Sequence, residues 1–446
     1  MKQSDMPTPK RTLRLHHLVY MGLAWMMPMV YFTVYGIARE HSGGMLTQAY
    51  LLAFAAIFFT AFSYSAMAKA FPGSGSAYSY VGKSLHPRAG FLVGWTLLLE
   101  YVFSPLIAVL TFGIFMHAQF PSVPAWPWIV GFNILLAAIN MIGVSFSANI
   151  SKWFVWLQVA FVAVFCAFLA KGLTGGNDPL APLVQTDIPP SALLIGASVI
   201  CFCFLGFDSV TTLSEETIEP RKTIPKAILI IISVAGLLYF VPSYLTQLAY
   251  PGLTLGNDDA AGRNVVELAG GAGLSSLFMT VLVFAVFTQG LASSATASRL
   301  LYAMGRDAVL PRRVFGRLHP RFGTPVLSIA VVSAFSMLSL AVELDTAVKF
   351  VNFGALTAFF FVNVSVVAKL YFKDRQRASF KQTVGHLVVP AIGACFIGWL
   401  LTLLDATTLW LGLSWTAFGV AYYVARFKLY PMVSSRPTRQ SSSPAT

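Results

Sequence analysis

Two carboxylates stand in stretches of this sequence that carry almost no other charge. Asp208 follows the uncharged run SALLIGASVICFCFLGF, and Glu100 lies inside GWTLLLEY. Acidic residues within long apolar segments usually mark a path for an ion or a substrate, because a charge there is expensive. Burial favours the neutral form of a carboxylate, and a nearby cation favours its ionised form. We therefore predict that Asp208 and Glu100 bind a cationic substrate, a proton, or each in turn.

The segments around these acids belong to a chain suited to a lipid bilayer. Of its 446 residues, 57% are hydrophobic and only 11% are charged, whereas a soluble protein carries about 25% charged residues. Apolar stretches of about 20 residues, the length that crosses a bilayer as a helix, recur along the chain. We predict an all-α integral membrane protein with twelve spans. They cover residues 16–38, 48–70, 89–118, 125–146, 151–170, 191–213, 226–249, 272–302, 325–342, 347–370, 384–403 and 407–426.

The basic residues lie mainly on one side of these spans. Of the 30 Lys and Arg residues, 26 fall on one side, and the other side holds only Arg39, Lys171, Arg263 and Lys349. This is the positive-inside pattern, which predicts cytoplasmic N and C termini. The net charge of +13 therefore sets orientation, and we expect the bilayer and a small cationic molecule as partners, with no nucleic acid.

Two spans contain residues that interrupt a helix. Span 1 reads LVYMGLAWMMPMVYFTVYG, and span 6 carries Gly206 beside Asp208. Open backbone at membrane depth is tolerated only where it lines a cavity. Interrupted spans at matching positions of two halves predict an inverted-repeat transporter with its site near the midplane. The alternative is ordinary packing, since Gly and Pro are common in membrane helices.

The division of the chain follows from these spans. We predict a cytoplasmic N-terminal tail over 1–15, a transporter core over 16–370 whose halves are 16–170 and 191–370, two further helices within 384–426, and a disordered tail over 427–446. The longest external loops, about 171–190 and 250–271, are too short for a catalytic domain.

Several classes of function are excluded by missing motifs. The sequence contains no GxxxxGK[ST] phosphate loop, no HExxH and no GxSxG, so neither ATP-driven transport nor an enzyme is expected. All four cysteines fall inside predicted spans, where they act as small packing residues. We expect no metal and no cofactor.

Three basic-side connections carry a family resemblance. They read FPGSGSAYSYVGKSLHPRAGFLVGW, LSEETIEPRKTIPKAI and ASRLLYAMGRDAVLPRRVFGRLHPRFGTP. Together they resemble the amino acid–polyamine–organocation permeases over about residues 15 to 426. Within that family, FCFLGFDSVTTLSEET and NFGALTAFFFVNVSV resemble the bacterial putrescine importers, although Thr33 and Glu100 stand where those importers carry aspartates. The resemblance implies two inverted five-helix repeats with broken helices 1 and 6, two added helices, and alternating access driven by an ion gradient, usually of protons.

The candidate site combines the two acids with aromatic faces and open backbone, which together suit an ammonium group through ion pairing and cation–π attraction. The candidate substrate-binding residues are Gly22, Trp25, Glu100, Tyr101, Phe202, Gly206, Phe207 and Asp208. Asp208 and Glu100 are also the candidates for proton coupling. The candidate gating residues near the cytoplasmic ends of spans 6 and 8 are Glu215, Glu216, Arg306 and Asp307. The alternatives are a carboxylate that caps a broken helix, packing by the aromatic rings, and basic residues that only set orientation.

The interrupted part of span 1 bears on the substrate. Exposed backbone amides at helix N termini bind anions, but GLAWMMP has bulky residues and a proline without an N–H. We therefore favour a proton-coupled importer of a polyamine, with putrescine as the first choice of substrate, in the bacterial cytoplasmic membrane. An amino-acid permease of the same fold and a nutrient sensor without flux remain alternatives. Ser293, Ser294 and Thr296 leave sodium coupling open, and the sequence does not separate a monomer from a homodimer.

Overall fold

The computed structural model describes residues 11–72, 76–142, 148–173, 178–184, 189–253, 260–306, 309–320 and 322–429. These residues form helices and their connections, with no β-strand among them and one isolated bridge between Leu13 and Thr217. Nine helices in this part of the chain are long and apolar enough to cross a bilayer, and the bent first span makes ten. The predicted all-helical membrane fold is confirmed.

Helical segments occupy the position of every predicted span. Spans 1 to 4 are Leu15–Met26 with Val30–Thr33 and Tyr35–His41, then Leu46–Ala70, Pro87–Gln119 and Ala125–Ile142. Spans 5 to 8 are Ala148–Gly172, then Pro190–Ile200 with Cys201–Phe204 and Phe207–Glu216, then Pro220–Ala249 and Ala261–Arg306. Spans 9 to 12 are Val326–Ser336 with Met337–Leu340, then Leu344–Val366 with Val367–Lys373, then Phe380–Thr383 with Val384–Val388 and Val389–Thr402, and Ala406–Leu429. Shorter helices are Ala77–Ser84, Ala181–Val184 and Arg312–Phe315.

Span 1 is broken where the sequence predicts it. Its first helix ends at Met26, and Met27 has a φ of 55°. Pro28 follows, and a proline cannot donate a ladder hydrogen bond. The carbonyl of Met26, released from the ladder, accepts a hydrogen bond from Tyr239 Oη of span 7 at 3.3 Å. The outer piece Tyr35–His41 then bends by 66° from the rest of the span.

Span 6 loses its α-helical geometry over a longer stretch than the sequence predicts. It continues from Cys201 as a 3₁₀ helix, breaks at Gly206, and resumes as a 3₁₀ helix over Phe207–Glu216. The reason lies in its hydroxyl side chains, which bond to the carbonyl three residues earlier and so compete with the helical ladder. These bonds run from Ser209 to Gly206, Thr211 to Asp208, Thr212 to Ser209 and Ser214 to Thr211.

The two acidic residues lie on the most enclosed spans. In the most apolar window of span 3, 83% of the residues are buried, and in that of span 6 the share is 78%. The corresponding share is 22% in spans 4 and 11, which therefore lie at the periphery. Glu100 on span 3 and Asp208 on span 6 are thus carried to the centre of the bundle.

The loop prediction over 250–271 is wrong in its second half. A helix begins at Ala261 and turns at Gly271, whose φ is 69°, into the long part of span 8. A Cβ atom at Gly262 would lie 1.9 Å from the carbonyl oxygen of Phe32. The Arg263 guanidinium donates to the carbonyl of Ala118. This helix packs on the outer half of span 1, and its contacts override the loop-like glycine content.

We predict that Gly206→Ala destabilises the fold. Gly206 has a φ of 105°, and a Cβ there would lie 2.0 Å from Trp25 Cε3. Backbone strain of this kind costs about 1–3 kcal/mol, and the clash with the indole adds to it. The thermal unfolding midpoint of the purified protein in detergent measures the effect.

Gly131→Ala in span 4 is the matched control, because a Cβ at Gly131 meets no atom within 4 Å. Its midpoint should stay level or rise, since alanine favours a helix over glycine. Equal midpoints for the two variants would show that the close contact between Gly206 and Trp25 does not limit the residue at position 206 to glycine.

Candidate functional site

Asp208 is held by a tyrosine from another span. Its side chain is 1% exposed, and its Oδ2 accepts a hydrogen bond from Tyr101 Oη at 3.1 Å. Asp208 is the second residue of the 3₁₀ helix that starts after Gly206. Free amides and the dipole at a helix N terminus stabilise a negative charge. The break in span 6 and the hydroxyl of Tyr101 therefore act together on one carboxylate.

Glu100 is buried beside Asp208 without a hydrogen bond. It has no exposed surface, and neither carboxylate oxygen has a hydrogen-bond partner in the part of the chain that the structure describes. It is close enough to Asp208 for the two charges to interact. The structure thus brings together the two acids that the sequence singles out. No lysine, arginine or histidine among the described residues forms an ion pair with either acid.

Tyr64 belongs to the same site and was missed by the sequence analysis. It is fully buried, lies within electrostatic reach of both carboxylates, and its hydroxyl has no hydrogen-bond partner among the described residues. Its ring stands 5.3 Å from that of Phe207. The sequence offers no signal for it, because Tyr50 in the same span looks equivalent yet lies beside Cys203 instead.

A small cavity of about 30 Å³ lies next to this site, between spans 1, 3, 6 and 8. Trp25 and Phe202, two of the candidate residues, line it. Its polar lining comes from Thr33, Ser104, Thr111 and Gln289. The ring of Trp25 is 6.4 Å from that of Tyr101, which bonds to Asp208. Trp25 is therefore the side chain that the cavity and the carboxylate site share, and its buried Nε1 has no hydrogen-bond partner among the described residues.

Two other candidates lie in packing contacts. A Cβ at Gly22 would lie 2.5 Å from Ile231 Cδ1, so Gly22 gives span 7 a close approach to span 1. Phe207 is fully buried, and its ring lies 5.3 Å from both Tyr64 and Phe359. Gly206 packs against Trp25, as described above. The structure therefore shows packing roles for Gly22 and Phe207, and their roles in substrate binding stay predictions.

One gating candidate takes part in a contact between the N-terminal segment and span 6. The carbonyl of Glu216 accepts hydrogen bonds from the amides of Thr12 and Leu13 at 2.9 and 3.0 Å, and the amide of Ile218 donates to the Leu13 carbonyl at 2.9 Å. Arg306 is exposed at the end of span 8. Asp307 and the side chain of Glu215 lie outside the described residues, so their gating roles stay predictions.

Comparison with known proteins shows the family to which the chain belongs. A family model described as amino acid permease matches residues 17–435. The chain belongs to the amino acid permease family. It is 35% identical to the low-affinity putrescine importer PlaP of Escherichia coli K12 over 93% of each chain. It is 28% identical to the methylthioribose transporter of Bacillus subtilis over 94% of each chain.

A third relative is the branched-chain amino acid permease BcaP of Bacillus subtilis, 26% identical over 93% of this chain and 92% of the relative. All these relatives are named as transporters or permeases. The permease is therefore a transporter and not an enzyme, as the sequence predicted.

We predict that Tyr101 and Asp208 are energetically coupled in this permease. Tyr101→Phe removes the only side-chain donor that the structure assigns to Asp208 Oδ2, and an unmade buried hydrogen bond costs about 1–3 kcal/mol. In combination with Asp208→Asn, the loss of unfolding free energy should be smaller than the sum of the two single losses by about 1 kcal/mol. Chemical unfolding of the four proteins in detergent measures the cycle.

Tyr31→Phe is the control for this cycle. It also removes a buried hydroxyl, one that donates to Thr246 Oγ1 at 3.1 Å and to neither acid. Its effect should add to that of Asp208→Asn, because residues that share no partner do not couple. Additivity in both cycles would contradict the bond between Tyr101 and Asp208.

Proposed function

We propose that this permease imports a cationic amine, with putrescine or a related diamine as its substrate, in symport with protons. The observation that carries the proposal is the pair of buried carboxylates, Glu100 and Asp208, which form no ion pair with a described lysine, arginine or histidine. Two unpaired carboxylates away from water are costly when both are ionised. Either protons or the ammonium groups of a substrate remove that cost. Because both can occupy the same carboxylates, the site can exchange protons for substrate.

The two acids differ in a way that suggests separate roles. Asp208 has a hydrogen bond from Tyr101 and stands at the start of a helix, so its ionised form is supported and can receive an ammonium group. Glu100 has no hydrogen bond from the described residues, so its neutral form is favoured without a substrate. We assign substrate binding to Asp208 and proton carriage mainly to Glu100, with Trp25 and Tyr101 providing aromatic faces.

The direction of transport follows from the membrane potential. A cation that moves into a negatively charged cytoplasm gains roughly 2.3 kcal/mol per charge for each 100 mV, and a diamine carries two charges. We place the termini and the basic connections in the cytoplasm of a bacterium, in accordance with the distribution of Lys and Arg. Separation of the N-terminal segment from Glu216 and Ile218 would open the cytoplasmic side.

The break in span 1 favours an amine that has no carboxylate. The amide of Met27 donates to the Leu23 carbonyl at 2.9 Å, and that of Val30 donates to the Met27 carbonyl at 2.8 Å. Pro28 between them has no amide hydrogen. The break therefore offers few donors for a substrate carboxylate. The amino acid permeases among the relatives, such as BcaP, support the second candidate, an amino acid as substrate.

The experiment that tests the proposal is uptake of labelled putrescine into proteoliposomes under an imposed inward proton gradient without sodium. We expect gradient-dependent uptake that unlabelled amines inhibit and α-amino acids do not. No putrescine uptake together with clear uptake of an amino acid would overturn the choice of substrate. A requirement for sodium would overturn proton coupling. It would favour a sodium site that includes Ser293 and Thr296, whose hydroxyls here donate to carbonyls of their own helix.

We predict that Asp208→Asn reduces putrescine uptake to the background of empty liposomes. The substitution removes the charge that receives the ammonium group while it keeps the size of the side chain. Glu267→Gln, which neutralises an exposed acid at the opposite end of span 8 from the basic connections, should leave uptake unchanged. Near-normal uptake by Asp208→Asn in correctly folded protein would rule out this role.

We predict a different defect for Glu100→Gln. A glutamine cannot carry a proton, so uptake should no longer respond to the proton gradient. Exchange of labelled for unlabelled putrescine without any gradient should persist, because Asp208 still binds the amine. Loss of exchange and driven uptake to the same extent would assign Glu100 to substrate binding instead.

A further inference from the structure

A large groove lies on the outside of the bundle at the end that carries most of the Lys and Arg residues. It has a volume of about 820 Å³ and lies between span 2, the start of span 7, the end of span 10 and the start of span 11. None of the residues assigned to the site lines it. The proposed function therefore leaves the groove without a role.

Three cations line this groove, one from each of three elements. They are Lys69 at the end of span 2, Arg221 at the start of span 7 and Lys381 at the start of span 11. All three side chains are exposed, and none has an ion-pair or hydrogen-bond partner among the described residues. The lining contains no Asp or Glu. The groove therefore presents an uncompensated positive charge.

The charge distinguishes this groove from a second large cavity. At the opposite end of the bundle, a cavity of about 620 Å³ is lined by both Arg39 and Asp178, so its charges offset each other. The two cavities are similar in size, and only the one at the basic end is lined by cations alone. The charge pattern, and not the volume, therefore makes this groove suited to a negatively charged ligand.

Each cation has an apolar side chain seven or eight residues away on the same span, deeper in the membrane and in the same groove. Phe62 precedes Lys69 by seven residues, and Leu229 follows Arg221 by eight. Val389 follows Lys381 by eight residues. At a helical rise of 1.5 Å per residue, these distances are about 10–12 Å. The groove is therefore basic at its mouth and apolar about 10 Å further into the bilayer, a pattern that matches a charged head joined to an acyl chain.

The backbone along the groove is also unusual. Spans 10 and 11 each contain π-helical residues beside it, Val367–Lys373 and Val384–Val388. Leu370, Val384, Gly385 and His386 from these two stretches line the groove. π-helical turns are rare and occur frequently at functional sites. Phe380, between the two stretches, is 85% exposed and also lines the groove, so a large apolar side chain stands uncovered at its mouth.

We propose that this groove binds one anionic phospholipid from the cytoplasmic leaflet. Lys69, Arg221 and Lys381 contact the phosphate of its head group, while Phe62, Leu229 and Val389 contact an acyl chain. Basic pockets between membrane helices on this side are suited to anionic head groups. The lipid joins spans 2, 7, 10 and 11 at a place where the described protein residues leave an open groove between them.

The test measures binding of phosphatidylglycerol to the full-length protein in mixed micelles with phosphatidylcholine. The readouts are the thermal unfolding midpoint as a function of the mole fraction of phosphatidylglycerol, and the lipid retained on the protein in native mass spectrometry. The test variant is Lys69→Gln combined with Arg221→Gln and Lys381→Gln. The control variant is Lys152→Gln combined with Arg312→Gln and Arg313→Gln, which removes three exposed cations from the same end outside the groove.

We expect saturable stabilisation and one retained phosphatidylglycerol in the unmodified protein and in the control variant. Each cation near an anionic lipid surface contributes enough to change affinity about fivefold, so the groove variant should bind about 100-fold more weakly. Single substitutions should show intermediate losses. Phe62→Ser combined with Leu229→Ser should weaken retention while the three cations remain.

Three results would overturn the proposal. Equal losses in the groove and control variants would show general surface electrostatics. Unchanged binding in the groove variant would show that the lipid lies elsewhere. Stabilisation by inorganic phosphate or glycerol phosphate equal to that by phosphatidylglycerol would identify a site for free phosphate, in which the acyl chain has no part.

Discussion

The cost of keeping two carboxylates out of water governs the centre of this permease. Glu100 and Asp208 are both buried and close enough to interact, and neither forms an ion pair with a described lysine, arginine or histidine. Such a pair is stable only while protons or an external cation reduce its charge. The dependence on something brought from solution makes the site suited to exchange. A lysine or arginine in its place would satisfy the acids permanently and leave nothing for a substrate to do.

The surrounding elements serve this constraint. Span 3 carries Glu100 and Tyr101 through the most enclosed part of the bundle, and the break at Gly206 presents a helix start to Asp208. The break is stable because Gly206 packs on Trp25 without a Cβ and because hydroxyl groups after it satisfy backbone carbonyls. The same Trp25 borders the cavity. The contact between Trp25 of span 1 and Gly206 of span 6 therefore stabilises the backbone break next to Asp208 and positions one wall of the cavity.

The broken spans are held at both ends by neighbouring segments. Toward the basic end, the backbone of Thr12 and Leu13 forms hydrogen bonds with the backbone of Glu216 and Ile218. At the opposite end, Gly262 lets a short helix reach the carbonyl of Phe32 in the outer half of span 1. Between these contacts both acids are buried, so the conformation is closed around them. Backbone hydrogen bonds at the ends of a span can be exchanged for water when they face solvent, whereas the central packing against Trp25 cannot.

The local features of this protein follow directly from its residues. Apolar length predicts the spans, the Lys and Arg distribution predicts their orientation, and Pro28 and Gly206 predict the breaks in spans 1 and 6, because each depends only on neighbours along the chain. Even the extended 3₁₀ geometry after Gly206 has a local cause, the hydroxyls in DSVTTLSEET, although its length was not predicted. The acids Glu100 and Asp208 were recognisable because a charge in an apolar run is conspicuous.

Contacts between spans could not be read in this way. Tyr64 joins the acids while the similar Tyr50 does not, and Phe207 turns toward Phe359 while Trp25 borders the cavity, because side-chain direction at a site depends on how distant spans cross. Gly22 looked like open backbone and instead admits Ile231 of span 7. The helix from Ala261, in a region rich in glycine, exists through its packing on span 1. These features required the tertiary structure, since the free energy that decides them comes from residues remote in the sequence.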